Sequence, residues 1–163
     1  MLAHDTLANV LYIDLSNKRH WVRSREDLFH KYLGGAGVAI QLLQEECPKG
    51  CEPLGDENPI VFAVGPLIGL FPLASKSVAM FKSPHTGNLG ESHCGGRSAI
   101  AIRMAGYGAI VIKGASDIPL YLAVHGDKVY FRDASSIWGM ENSFTVGRII
   151  RENEPGAGLR TIM

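Results

Sequence analysis

The sequence has no surplus of either charge: 16 Lys and Arg residues stand against 16 Asp and Glu residues in 163. Without a basic excess there is no electrostatic ground for binding nucleic acid or an anionic membrane. No apolar run reaches the ~20 residues that a bilayer-spanning helix needs. The N-terminal stretch MLAHDTLANVLYIDLSNKRH lacks the basic segment and apolar run of a secretory leader. Cysteine is scarce, and an odd count of three does not build a disulfide framework. Together these absences predict a cytoplasmic protein with neither a nucleic-acid nor a membrane partner.

Glycine, by contrast, is plentiful: 19 residues, well above the usual share of ~7%. That many glycines imply tight turns or backbone that approaches a ligand closely. The length suits one domain able to bury a core without staples.

The pattern along the chain alternates short strands with helices. NVLYIDLSNKRHWVRS (9–24) alternates around a Ser-Asn-Lys turn and predicts a β-hairpin. SREDLFHKYLGG predicts a helix capped by Ser24 and ended by Gly34-Gly35. AGVAIQLLQEECP (36–48) predicts a second helix closed by Pro48. PIVFAVGPL (59–67) and SKSVAMFKSP (75–84) predict strands, SAIAIRMAGYG (98–108) a helix ending at Gly106, and AIVIKG (109–114) another strand. PLYLAVHGDKVYFRDAS (119–135) reads as a second hairpin and ENSFTVGRIIRENE (141–154) as an amphipathic helix. The final LRTIM reads as the start of a strand. GGAGVAIQLL before IVFAVGP is echoed by GGRSAIAIRM before AIVIKGA. The echo is either a duplication, giving two related α+β halves, or chance.

Four motifs invite a chemical reading. GGAGVA (34–39) lacks the context of a dinucleotide fingerprint: a helix rather than a strand precedes it, and the third glycine is missing. It reads as a helix–helix junction where Gly34, Gly35 and Gly37 permit close packing. In ESHCGGRSAIAI, Gly95-Gly96 precedes a helix N-terminus, where N–H groups and the helix dipole favour a phosphate or other anion. Arg97 adds charge there. The alternative is a turn that merely feeds a helix. His93, next to this turn, is either a metal or anion contact or simply a hydrogen-bonded histidine. Cys94 is either a small packing residue or a thiol activated by the dipole. Cys47 and Cys51, spaced C-x3-C with no third ligand near, read as reduced surface thiols rather than a metal pair. Lys76 and Lys82 supply charge around the turn or are solvated surface.

Taken in order, YLGGAGVAIQLLQEE, PLGDENPIVFAVGPLIGL, KSPHTG, GGRSAIAIRMAGYGAIVIKG and RDASSIWG resemble the N-terminal domain of the aldehyde ferredoxin oxidoreductases, which are tungsten–pterin enzymes. The resemblance runs from about Asn9 to about Glu152. It implies an α+β fold of two β-sheet-containing halves related by duplication, with residues 1–163 a single, C-terminally incomplete domain. It implies a bis-pterin cofactor carrying tungsten (or molybdenum), with magnesium bridging the phosphates. A [4Fe-4S] cluster belongs to later domains, whose cysteines have no match here. Enzymes of this family oxidise aldehydes to carboxylic acids and pass the electrons to ferredoxin; a related branch reduces an aromatic ring in an acyl-CoA.

By the same resemblance, Lys76, His93, Cys94, Gly95, Gly96 and Arg97 form the cofactor-contact stretch, with the Gly95-Gly96 backbone against the pterin. His93 stands where the family often has Asn beside the phosphate–magnesium bridge, which makes it the metal-contact candidate. Lys76 stands where an Arg is expected; it keeps the charge and loses the bidentate fork. No catalytic residue is assigned, and the chain alone is expected to be inactive. Its partners would be the C-terminal domains of the same enzyme or a split subunit, together with ferredoxin; a homodimer is also allowed. The competing reading is a cofactor-free scaffold or interaction module derived from such a domain.

Overall fold

The computed structural model describes residues 6–154. A six-stranded mixed sheet forms the frame, in the order β2-β1-β6-β3-β4-β5. Its strands are β1 (Asn9–Asp14), β2 (Arg19–Ser24), β3 (Ile60–Val64), β4 (Ser77–Lys82), β5 (Leu89–Cys94) and β6 (Ala109–Lys113). Only β1 and β6 run parallel; the other pairs are antiparallel. A separate hairpin, β7 (Leu120–His125) with β8 (Lys128–Asp133), contributes Val129 to the common core. The helices are α1 (Glu26–Tyr32), α2 (Gly35–Glu46), α3 (Ser98–Met104) and α4 (Ser143–Asn153).

Apolar period explains the layering. In α2, Val38, Ala39, Leu42 and Leu43 are buried, a stripe at helical spacing laid on β3 and β4. In β1, four consecutive residues, Val10 to Ile13, are buried, as happens where both faces of a strand are covered. The β1–β2 hairpin is pinned by the cross-strand pair Tyr12 and Trp21, whose rings stack 5.5 Å apart. In α4 the Asn142 side chain accepts the first-turn N–H groups of Phe144 and Thr145. Beyond its other end, Glu154 accepts hydrogen bonds from Tyr121 Oη and Arg132 Nε, fastening α4 to the β7–β8 hairpin.

The expected α+β class holds, as do the two hairpins and all four helices. Both halves of the sequence feed the main sheet, and the second half adds the two-stranded β7–β8 sheet. The two Gly-Gly–helix–strand segments deliver β3 and β6, which lie side by side and antiparallel at the sheet centre. The strand order is symmetric about that pair, yet β1–β6 is parallel where its counterpart β3–β4 is antiparallel. The echo in sequence is therefore an echo in pairing order, without a common direction.

Three local features add to or differ from the expectations. Residues 89–94, which carry no strand signal in the sequence, form β5, because the KSPHTGN segment is a tight turn that folds the chain back on β4. The Ser83 and Gly87 N–H groups donate to Asn88 O and Ser83 O to close it. Ser24 belongs to β2, and Arg25 takes the position ahead of α1. Lys82 is not solvated surface: its ammonium donates to Cys51 O at 2.6 Å. The LRTIM segment lies outside the described residues. Among the described residues no helix is long and apolar enough to cross a membrane.

Candidate functional site

A groove of about 560 Å³ opens where α2 begins and β3 ends. One side is the first turn of α2, Gly35 and Ala36; another is the exit from β3, Ala63, Gly65 and Pro66. The segment from Leu73 to Val78 and His93 on β5 complete it. Gly, Ala and Ser supply much of the lining, so little side-chain bulk stands between the backbone and an occupant.

The chain's local choices build this shape. Leu33 ends α1 in the left-handed conformation at φ 64°, and Gly34 follows at φ 127°. A β-carbon on Gly34 would lie 2.9 Å from Val64 O, so only glycine lets the α1–α2 junction press on the end of β3. Gly37 allows the same closeness to Tyr32 O. The predicted close packing is thus present at Gly34 and Gly37 but not at Gly35, where a β-carbon would meet nothing within 4 Å. No side chain caps α2, so the N–H groups of its first turn lie at the groove with no capping acceptor from a side chain.

The predicted contact residues divide into two groups. Lys76 and His93 both line the groove, brought together by β4–β5 pairing: Lys76 immediately precedes β4, and His93 is in register with Val78. His93 is about half exposed, and its Nε2 is 3.7 Å from Glu91 Oε2 on the same face of β5. Cys94, Gly95, Gly96 and Arg97 continue from His93 along the surface into α3, exposed and outside the groove lining. Gly96 turns at φ 84°, and a β-carbon on either Gly95 or Gly96 would meet nothing within 4 Å. That is open backbone, as a docking surface for a flat ligand needs. Buried Ser77 donates to Cys94 O at 3.4 Å and holds the end of β5 in place. Cys94 itself is exposed, which corrects its reading as a packing residue.

Among the described residues, no group of three or more His, Cys, Asp or Glu side chains is arranged to hold a metal ion. His93 has Glu91 beside it and no further ligand set. Lys76 brings one positive charge to the lining.

Sequence reasoning missed the contributions of Gly35, Gly65 and the Leu73–Ser77 segment. Their signal was small residues on either side of a buried strand, which a packing motif shares. Around the groove Leu33, Leu67, Leu70, Phe71 and Leu73 stand exposed, Leu73 almost fully at 99%. The surface is more apolar there than an isolated domain requires.

Residues 10–162 match the family described as "Aldehyde ferredoxin oxidoreductase, N-terminal domain". A tungsten-containing aldehyde ferredoxin oxidoreductase of Thermococcus kodakarensis is 38% identical over 128 residues, 78% of this chain and 21% of the relative. The aliphatic sulfonate oxidoreductase, WOR-like subunit, of Pyrococcus furiosus is 34% identical over 135 residues, 80% of this chain and 22% of the relative. Among solved structures, the active site complex BamBC of benzoyl coenzyme A reductase with 1,5-dienoyl-CoA superposes with a TM-score of 0.85. It is 30% identical and covers 90% of this chain and 23% of that one. The chain thus spans about a fifth of the length of the relatives it matches.

Proposed function

Because this chain belongs to the aldehyde ferredoxin oxidoreductase family, as its N-terminal domain, we propose that it forms one wall of the site for a tungsten- or molybdenum-bis-pterin cofactor in a larger oxidoreductase. The observation that carries this reading is the groove itself. It has a floor of small residues, the uncapped N-terminus of α2, and Lys76 beside His93 at the rim. These features fit a flat, phosphate-bearing group. Small residues let rings lie against backbone, while helix N–H groups and an ammonium attract phosphate.

When bound, such a cofactor supplies the two-electron chemistry between substrate and metal. The chain's own residues bind and orient. Lys76 would neutralise phosphate charge, and the imidazole of His93 would hold a phosphate or its accompanying magnesium. The open Gly95-Gly96 backbone and its neighbours Cys94 and Arg97 extend the contact toward α3. No side chain of this domain is assigned to proton transfer.

The reaction we propose is oxidation of an aldehyde to a carboxylic acid with ferredoxin as electron acceptor. A [4Fe-4S] cluster and the remaining contacts would come from the C-terminal domains of the same enzyme or a separate subunit. The relatives act, by name, on an aldehyde, an aliphatic sulfonate and a benzoyl-CoA. One domain serving three chemistries fits a cradle role, with substrate choice made elsewhere.

The test is to purify the natural full-length or partner-bound protein without oxygen and count tungsten, molybdenum and oxidised pterin per chain. About one metal and two pterins are expected for a bis-pterin site. A folded, complete protein with neither would overturn the cradle and leave a scaffold.

A further inference from the structure

The C-x3-C pair is not the surface pair its spacing suggests. Cys47 follows the last residue of α2, donating its N–H to Leu43 O, and Cys51 closes the next turn by donating to Pro48 O. Cys51 is buried, Cys47 is half-buried, and their sulfurs lie 2.6 Å apart. The two thiols are in direct contact, and either can be the donor. The turn is held from the far side, where Lys82 Nζ donates to Cys51 O and Asn58 Nδ2 donates to Lys82 O.

We propose that Cys47 and Cys51 form a reversible dithiol–disulfide pair, a modification site oxidised by low-molecular-weight disulfides. Cys47, the more accessible thiol, gives up its proton and attacks one sulfur of the small disulfide. That S–S bond breaks, one small thiolate leaves, and a mixed disulfide forms on Cys47. Cys51, deprotonated in turn, attacks the Cys47 sulfur and expels the second small thiolate. The two protons end on the two small thiols; the protein pair loses two electrons, and the small disulfide gains them.

The resulting bond fastens the end of α2 to the turn that leads into β3. The first turn of α2 lines the groove and the pair lies at the other end, about 18 Å away along a 12-residue helix. Oxidation thus stiffens the α2–β3 connection without touching Lys76 or His93. Burial, with the neighbouring Cys51, pushes the Cys47 thiol up to about 11, so the attacking thiolate is scarce at neutral pH.

The test uses the full-length protein incubated with glutathione disulfide, quenched by alkylation and mapped by peptide mass spectrometry. The expected product is a single peptide with Cys47 and Cys51 unalkylated and lighter by about 2 Da, restored by dithiothreitol. Exposed Cys94 is the internal control, remaining alkylatable or carrying glutathione. The rate of pair formation should rise about tenfold per pH unit between pH 7 and 9. Separate glutathione adducts on Cys47 and Cys51, pairing of either with Cys94, or persistent alkylation of both would overturn the proposal. A pH-independent rate would overturn the assignment of Cys47 as the attacking thiol.

Discussion

Gly34 rests against the carbonyl of Val64: a β-carbon placed on it would lie 2.9 Å from that oxygen, on a backbone held at φ 127°. This single contact ties the α1–α2 junction to the end of β3. Gly34→Ala adds both a left-handed strain and a clash with backbone that has no rotamer to escape into. It should destabilise the fold by about 2–4 kcal/mol. Urea unfolding of the two proteins checks this; a loss below about 0.5 kcal/mol would mean that the junction moves freely.

Gly95 and Gly96 separate stability from binding. Gly96→Ala meets open space but keeps φ 84°, so it should cost about 1 kcal/mol through backbone strain alone. Gly95→Ala meets open space without that strain and should change stability by no more than about 0.5 kcal/mol. If the Gly95 backbone lies against a pterin, Gly95→Ala should still lower the metal and pterin content of the full-length enzyme several-fold. A fully loaded Gly95→Ala enzyme would remove that residue from the contact surface.

Lys76 and His93 are surface side chains of the groove, so their loss should spare the fold. Lys76→Ala and His93→Ala should each shift the unfolding free energy by less than about 0.5 kcal/mol. Metal and pterin per chain should fall in both. Lys76→Arg should restore loading, since the charge is kept and a fork is gained. Equal loading of Lys76→Ala and the parent would assign the phosphate charge to other residues.

Arg25 joins α1 to α2 by donating to Asp27 and Glu45, at 2.8 and 2.7 Å. Its guanidinium holds the carboxyl groups of Asp27 and Glu45 below their ordinary values of 3.8 and 4.5. Carboxylates so depressed stabilise the fold above their unfolded pKa, and that contribution disappears as pH falls through the lower folded value. Both acids are substantially solvated, so Arg25→Ala should cost about 1 kcal/mol at pH 7. The difference between Arg25→Ala and the parent should shrink as pH falls below the ordinary carboxyl values of 3.8 and 4.5, measured by urea titration at pH 7 and in acid. A difference that persists in acid would assign the effect to packing of the Arg25 stem.

Much of the architecture was legible in the chain because it rests on local rules. The β1–β2 and β7–β8 hairpins announced themselves by alternation around polar turns, and α2 by Val38 and Leu42 at helical spacing ahead of Pro48. β5 escaped notice because Leu89–Cys94 is short, largely exposed and poor in β-branched residues. It becomes a strand only by pairing with β4. The thiol pair was misread for a related reason: spacing shows that Cys47 and Cys51 are close, while the turn that carries Cys51 is held by Lys82 at the end of β4, a contact distant in sequence.

The sequence by itself determined the kind of domain, most of its elements and its family resemblance, since composition, periodicity and ordered motifs are properties of the chain alone. The tertiary structure decided which of the candidate residues share a surface. Lys76 and His93 meet at one groove because β4 and β5 pair in a register that sets Val78 opposite His93. Gly35 reaches the groove because α2 starts where β3 stops. Such juxtapositions arise from pairing between distant segments, and no local pattern in the chain encodes them.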